Sequence, residues 1–152
     1  REGDPLEIYT EASGEVIYKK YSAMGEMSPF ASQYADVLSR TLSMPVLISD
    51  RDQIVSVSGI PKREFMERRI TIYLEDMMES RQYFSTYENS SKKFVPVEGM
   101  DNEAAVAFPI ISGGDVSGSV VVLKEENKLG SPELITKLAK ISAEFLSKQL
   151  ED

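Results

Sequence analysis

The sequence contains neither cysteine nor histidine in 152 residues, and these two absences exclude much chemistry. Without a thiol or an imidazole, the chain cannot form a Ser-His-Asp or Cys-His catalytic arrangement, and it cannot build an ordinary zinc site. Its fold cannot depend on disulfide bonds, which fits a reducing compartment, so we expect a cytoplasmic protein. From the same absences we expect a protein that is not an enzyme and that carries no cofactor.

The sequence also lacks nucleotide-binding loops and membrane-spanning runs. It has no Walker A loop and no G-x-G-x-x-G motif. The stretch "SGGDVSGS" at residues 112–119 holds three glycines but lies between two apolar runs, so we interpret it as a hairpin turn. The longest apolar run, residues 104–111, has the length of a strand rather than of a bilayer span, and we expect no membrane partner.

Charge is unevenly divided between the two signs. The chain has 25 acidic and 17 basic residues, a net charge of −8, and nucleic acid repels such a domain unless it carries a local basic patch. The basic cluster of the sequence also includes two acids: Lys62, Arg63, Glu64, Glu67, Arg68 and Arg69. Mixed signs are typical of a solvated helix face, which is our interpretation of the cluster. Asp50 and Asp52 are interpreted as turn residues rather than as an acid–base pair.

Two short strand-like runs open the chain, with a turn signal at Ser13-Gly14 between them. They predict a β-hairpin in residues 1–21. An isolated hairpin is at best marginally stable in water, so this one requires a partner. Residues 22–27, "SAMGEM", show no periodicity and are predicted to form a linker, and residues 28–152 are predicted to form the main domain.

Helix and strand signals in the main domain predict an α+β fold, with an antiparallel sheet flanked by helices. The pair Ser28-Pro29 predicts the start of the first helix, with Ser28 as its N-cap, and Ser131-Pro132 predicts the start of the last. Two short helices are predicted between residues 60 and 82. Strands are predicted at residues 45–49, 54–58, 83–87, 94–99, 104–111 and 116–124.

The last helix carries two adjacent apolar stripes rather than one. The first stripe is Leu134, Leu138, Ile141 and Phe145, and the second is Ile135, Ala139, Ser142 and Leu146. Covering one side of a sheet requires an apolar arc of about 100°, so we infer that one stripe packs on the sheet and the other on a second helix. That helix belongs either to the same chain or to another chain. The candidate oligomer residues are Phe30, Tyr34, Leu38, Leu134, Leu138, Ile141 and Phe145.

A fold of this kind can enclose a small-molecule pocket between the sheet and its covering loops. The aromatic and methionine side chains that could line it are Tyr73, Met77, Tyr83, Phe84 and Tyr87. Arg81 is the best candidate cation for a phosphate on the ligand, and it could equally just end its helix. Ordinary core packing is the alternative for the other side chains, since aromatic residues and methionine are common core material.

Two parts of the chain resemble known families. The order of elements over residues 28–152 resembles a GAF domain, a ligand-sensing α+β module. The stretches "GDPLEI" at residues 3–8 and "VIYKKY" at residues 16–21 resemble the second half of an AbrB-type DNA-binding domain, in which two chains interleave their hairpins. The combination resembles sporulation transcription regulators that join an AbrB-type head to a GAF domain.

The resemblance implies a regulator that works as an assembly. It implies that the hairpin pairs with the hairpin of a second chain in a homodimer, and that GAF helices join two dimers into a homotetramer. It also implies that DNA is bound mainly through an N-terminal segment missing from this sequence, with Lys19 and Lys20 as weak additional candidates. The GAF domain would respond to an unidentified small-molecule effector. The alternative is a stand-alone sensory or partner-binding module with no role on DNA.

Overall fold

A computed structural model of the chain describes residues 6–10, 16–20 and 23–151, with side chains from residue 23 onward. Strands β1 (Leu6–Thr10) and β2 (Val16–Lys20) pair antiparallel, with Leu6 opposite Lys20. The two strands predicted at the start of the chain are thereby confirmed. The predicted turn at Ser13-Gly14 and the side chains of Lys19 and Lys20 lie outside the described residues.

A one-turn helix, α1 (Ala23–Glu26), lies in the segment that the sequence predicts to be a linker. Met24 is only 1% exposed and belongs to the core. Four residues are too few to show helical periodicity, so the pattern carries no signal for this turn. Helix α2 (Ser28–Leu42) follows directly, and the amide of Ala31 donates to the carbonyl of Met27 at 2.8 Å.

The N-cap predicted at Ser28 is wrong. Ser28 already lies in the first turn of α2, and its hydroxyl donates to the carbonyl oxygen of Val55 at 2.9 Å. The preceding turn, α1, supplies backbone acceptors at this end of α2, since the amide of Met27 donates to the carbonyl of Ala23. No side-chain cap forms at this end of α2.

The main sheet has five antiparallel strands in the order β4-β3-β7-β6-β5. Three further helices accompany it: α3 (Lys62–Phe65), α4 (Ile72–Ser80) and α5 (Pro132–Glu151). The strands are β3 (Val46–Ser49), β4 (Ile54–Ser58), β5 (Phe84–Ser85), β6 (Ala104–Ser112) and β7 (Asp115–Leu123). The predicted hairpin turn joins β6 to β7 through Gly113 and Gly114, which have φ values of 57° and 85°.

The strand predicted at residues 94–99 is wrong. Only an isolated bridge forms there, between Val97 and Ile70. Pro96 has no amide hydrogen for a ladder, while Phe94 and Val97 are buried and act as core residues instead. The strand predicted at residues 83–87 shortens to Phe84–Ser85.

Each face of the sheet carries its own core, because neighbouring strand residues point to opposite sides. Val120 and Val122 point toward α2 and α5, whereas Val121 and Leu123 point toward α3 and α4. The sheet therefore separates two sides of the molecule. One is covered by the long helices, and the other by the short helices and residues 94–100. Among the described residues, no helix has the length and apolar character needed to cross a membrane.

Candidate functional site

The two apolar stripes of α5 have different environments. Ile135, Ala139 and Leu146 are completely buried against the sheet, and Ser142 is 2% exposed. The other stripe faces away from the sheet, and its Leu134, Ile141 and Phe145 are 44%, 52% and 39% exposed. The sheet accounts for one stripe only, and a helix that is apolar beyond its core-facing arc has a second surface to cover.

Helix α2 of the same chain covers part of the second stripe. The ring of Phe145 stacks on Tyr34, with ring centres 5.1 Å apart, and on Phe30, with ring centres 5.8 Å apart. The sequence left open whether the second stripe packs on a helix of the same chain or of another chain. The intramolecular contact forms through Phe145, and it leaves large apolar side chains of both helices in water.

An apolar groove of about 420 Å³ runs between α2 and α5. Its lining is Phe30, Gln33, Tyr34, Val37, Leu38, Thr41, Leu138, Ser142 and Phe145. We call the groove and the exposed apolar side chains beside it, Leu134 and Ile141, the α2–α5 surface. Contiguous exposed apolar surface of this kind marks an interaction site more often than scattered apolar residues do.

One predicted oligomer residue, Leu38, lines the groove but is almost entirely buried. Leu38 is 5% exposed and belongs to the core, while its neighbour Val37 is 56% exposed and extends the α2–α5 surface. Both are apolar, so helical spacing alone did not separate them. The positions of the small residues could have separated them. Ala31 and Ala35 are both fully buried, and Leu38 follows Ala35 by three residues, on the same face of the helix.

The residues predicted to line a ligand pocket are not gathered at one place. Met77 and Phe84 lie in the core on the α3–α4 side, and Phe84 packs against Phe94 with ring centres 4.7 Å apart. Tyr73 is 56% exposed, and Tyr87 packs against the core on the opposite side of the sheet. The physical reason is that side chains alternate along an extended chain, so Phe84 and Tyr87, three residues apart, point to opposite sides of the sheet.

Arg81, the candidate phosphate contact, ends helix α4. It adopts the left-handed conformation with φ 57°, and its Nη2 donates to the carbonyl oxygen of Gly114 at 2.6 Å. This bond ties the end of α4 to the turn between β6 and β7. The side chain of Arg81 therefore makes a structural contact, which agrees with the alternative that it ends its helix.

The space on the α3–α4 side of the sheet is filled by the protein itself. Phe65, Leu74 and Phe94 are at most 2% exposed there. A cavity of about 330 Å³ lies elsewhere, beside the first turns of α5. It is lined by Ser85, Tyr87, Glu88, Pro132, Glu133, Thr136 and Lys137. Tyr87 is the predicted pocket residue that lies here, and burial raises the pKa of its hydroxyl.

Comparisons with known proteins match almost the whole chain. Residues 26–151 match the family model described as "Stage V sporulation protein T C-terminal, transcription factor". The chain is 39% identical to stage V sporulation protein T of Bacillus subtilis (strain 168) over 153 aligned residues, which cover 99% of this chain and 84% of that protein.

Solved structures of low sequence identity share the fold. The GAF domain of Acinetobacter phosphoenolpyruvate-protein phosphotransferase is 13% identical, with a TM-score of 0.56 over 86% of this chain and 82% of that one. The GAF domain/HD domain protein from Geobacter sulfurreducens is also 13% identical, with a TM-score of 0.57 over 84% of this chain and 95% of that one. The predicted α+β, GAF-like fold is therefore confirmed.

Proposed function

This chain belongs to the family of stage V sporulation protein T, and from that premise we propose that it is the regulatory and assembly part of a DNA-bound sporulation regulator. It carries the C-terminal domain of a sporulation transcription factor, built on a GAF-like fold. In the proposed division, residues 1–21 belong to the DNA-binding head, residues 22–27 connect, and residues 28–152 form the regulatory domain.

The observation that carries the proposal is the α2–α5 surface. Phe30, Val37 and Ile141 are 38%, 56% and 52% exposed in a single chain. Burying a large aliphatic or aromatic side chain is worth about 1.5–3 kcal/mol. In the proposed assembly, the α2–α5 surface of one chain packs against the α2–α5 surface of a second chain. This is an isologous contact about a two-fold axis. The resulting helix bundle joins the chains, and with them their DNA-binding heads.

The assembly gives a place where a signal can act. A ligand shifts DNA affinity only if it binds two arrangements of the heads differently. The cavity that contains Tyr87 adjoins the first turns of α5, and Leu134 of that part of the helix is in the α2–α5 surface. In the proposed mechanism, a small-molecule effector in this cavity changes how α5 packs between chains.

The test is DNA binding by the full-length product of the gene, followed by fluorescence anisotropy of a long labelled duplex. The proposal predicts that the full-length protein binds, because the head of the proposed division supplies most contacts. Ile141→Glu in the full-length protein should weaken binding at least about tenfold, because heads that are no longer joined lose avidity.

Ile72→Glu is the matched control for this variant. Ile72 is also exposed, at 62%, but it lies on α4, across the sheet from the α2–α5 surface. It should retain most of the DNA affinity, because it leaves the bundle intact. A full-length protein that binds no DNA contradicts the proposal and favours a partner-binding module. Equal affinities for the two variants would contradict the role of the bundle.

A further inference from the structure

The basic cluster of the sequence forms a surface of its own. Lys62 and Arg63 lie in the one-turn helix α3, and Arg68 and Arg69 lie in the loop that follows it. All four side chains are exposed. We call them the cationic patch. Because α3 ends at Phe65, the four cations do not share the continuous helix face that the sequence suggested.

The cations of the patch form no ion pairs with the described residues. The described ion pairs lie elsewhere, between Arg51 and Glu79, Lys124 and Glu103, and Lys148 and Glu151. Glu64 and Glu67 are exposed, and neither has a carboxylate oxygen within 4.0 Å of a patch cation. The charged residues of the cluster are solvated, as the sequence predicted, but they do not lie on one helix face. The four positive charges are therefore accessible to a partner.

The loop that carries the patch is held in place by its backbone. Glu67 has a φ of 64°, and its amide donates to the carbonyl of Ile54 at 3.0 Å. The amide of Ile54 in turn donates to the carbonyl of Arg68 at 2.9 Å. The amide of Glu98 donates to the carbonyl of Arg69, also at 2.9 Å. Phe65, which is 1% exposed, anchors the loop in the core. The backbone that carries the patch is thus pre-organised, which lowers the entropy cost of binding.

The patch and the α2–α5 surface lie on different sides of the sheet. Helix α3 covers the same core as α4, on the side opposite α2 and α5, and β4 next to it is an edge strand. Association of chains through the α2–α5 surface therefore leaves the cationic patch open to solvent.

We propose that the cationic patch binds phosphate groups of the DNA that the regulator holds. This inference rests on the proposed function at DNA. Three of its four cations are arginines, whose planar guanidinium can pair with a phosphate through two parallel hydrogen bonds. Phosphate contacts position a protein on a duplex without reading its sequence. In a chain of net charge −8, such a patch offsets the repulsion that the regulatory domain otherwise suffers beside DNA.

The test compares the salt dependence of DNA binding by two charge-matched variants of the full-length protein. The patch variant is Arg63→Gln with Arg69→Gln, and Arg68 is left in place because its Nε donates to the carbonyl of Glu64. The control variant is Lys140→Gln with Lys148→Gln, two exposed lysines of α5 across the sheet. Circular dichroism and light scattering establish that both variants keep the fold and the mass of the wild-type protein.

Each lost phosphate contact should reduce the slope of log affinity against log salt by about 0.9. We therefore expect the patch variant to lose about 1.8 from this slope and the control variant to keep it. If the wild-type protein binds DNA and the two slopes agree, the inference is overturned while the proposed function stands. If the full-length protein binds no DNA at all, the proposed function fails and the inference fails with it.

A second titration separates DNA from an acidic protein partner. Exposed Met66, Ile72 and Tyr73 follow the same stretch of chain and would suit a polypeptide. Labelled poly-glutamate is therefore offered to wild-type protein and to the patch variant. Poly-glutamate binding that disappears in the patch variant, together with an unchanged DNA slope, would assign the patch to an acidic polypeptide and overturn the inference.

Discussion

At the scale of single residues, close backbone approaches decide which substitutions the chain tolerates. A Cβ on Gly118 would lie 2.0 Å from the carbonyl oxygen of Ser49, in the neighbouring strand β3. The obstacle is backbone, so it cannot rotate away. Only glycine allows β7 to pair with β3 at this point, where Ser49 lies opposite Ser119.

Gly118→Ala should lower the free energy of unfolding by about 2–3 kcal/mol, since extra volume in a close-packed core forces the backbone to shift. Urea denaturation followed by circular dichroism measures the change. Gly130→Ala is the control, because its Cβ would meet only side-chain atoms, at 3.2–3.4 Å, and these can move. Equal losses for the two variants would contradict this account.

Some residue roles follow from the sequence because they depend on local chemistry. Asp50 was predicted as a turn residue, and its Oδ1 accepts hydrogen bonds from the amides of Asp52 and Gln53 at 2.7 and 2.8 Å. The exposure of Val37 rather than Leu38 could not be predicted in this way, because the choice depends on how α2 rotates against the sheet. The separation of Tyr87 from Phe84, by contrast, follows from the sequence, because residues three apart on an extended chain point to opposite sides of a sheet.

At the scale of elements, the same dipeptide starts both long helices with different results. At α5 the amide of Leu134 donates to the hydroxyl of Ser131 at 3.2 Å, so the predicted cap forms. At α2 the hydroxyl of Ser28 bonds to a strand carbonyl, and α1 extends the helical backbone instead. Sequence predicts a cap from local chemistry, but a neighbouring element outside the pattern can take its place.

The two stripes of α5 predict two distinct responses to truncation. Leu146→Ala opens a cavity against the sheet and should cost about 2–5 kcal/mol at any protein concentration. Leu134→Ala removes part of the α2–α5 surface and should act on association, so it should reduce the rise of the melting temperature with protein concentration. Thermal melts over a range of concentrations measure both effects. A concentration-independent loss of similar size in both variants would contradict the assignment of the stripes.

At the scale of the whole molecule, the sheet separates the two surfaces for which we propose functions. One side presents apolar helices suited to a second copy. The other presents exposed cations that form no ion pair within the described part of the chain and suit a polyanion. The architecture was predictable from the order of its elements and from the wide apolar arc of α5. The separation of the α2–α5 surface from the cationic patch could not be predicted, because it depends on the side of the sheet on which α3 packs.

The most direct test of the central claim is the mass of the chain in solution, measured by light scattering during gel filtration. One chain has a mass of 17.0 kDa. We predict an oligomer for the wild-type chain and for Ile72→Glu, and a smaller species for Ile141→Glu with an unchanged circular dichroism spectrum. An Ile141→Glu variant with the mass of the wild-type oligomer, or a wild-type chain that is monomeric, would contradict assembly through the α2–α5 surface.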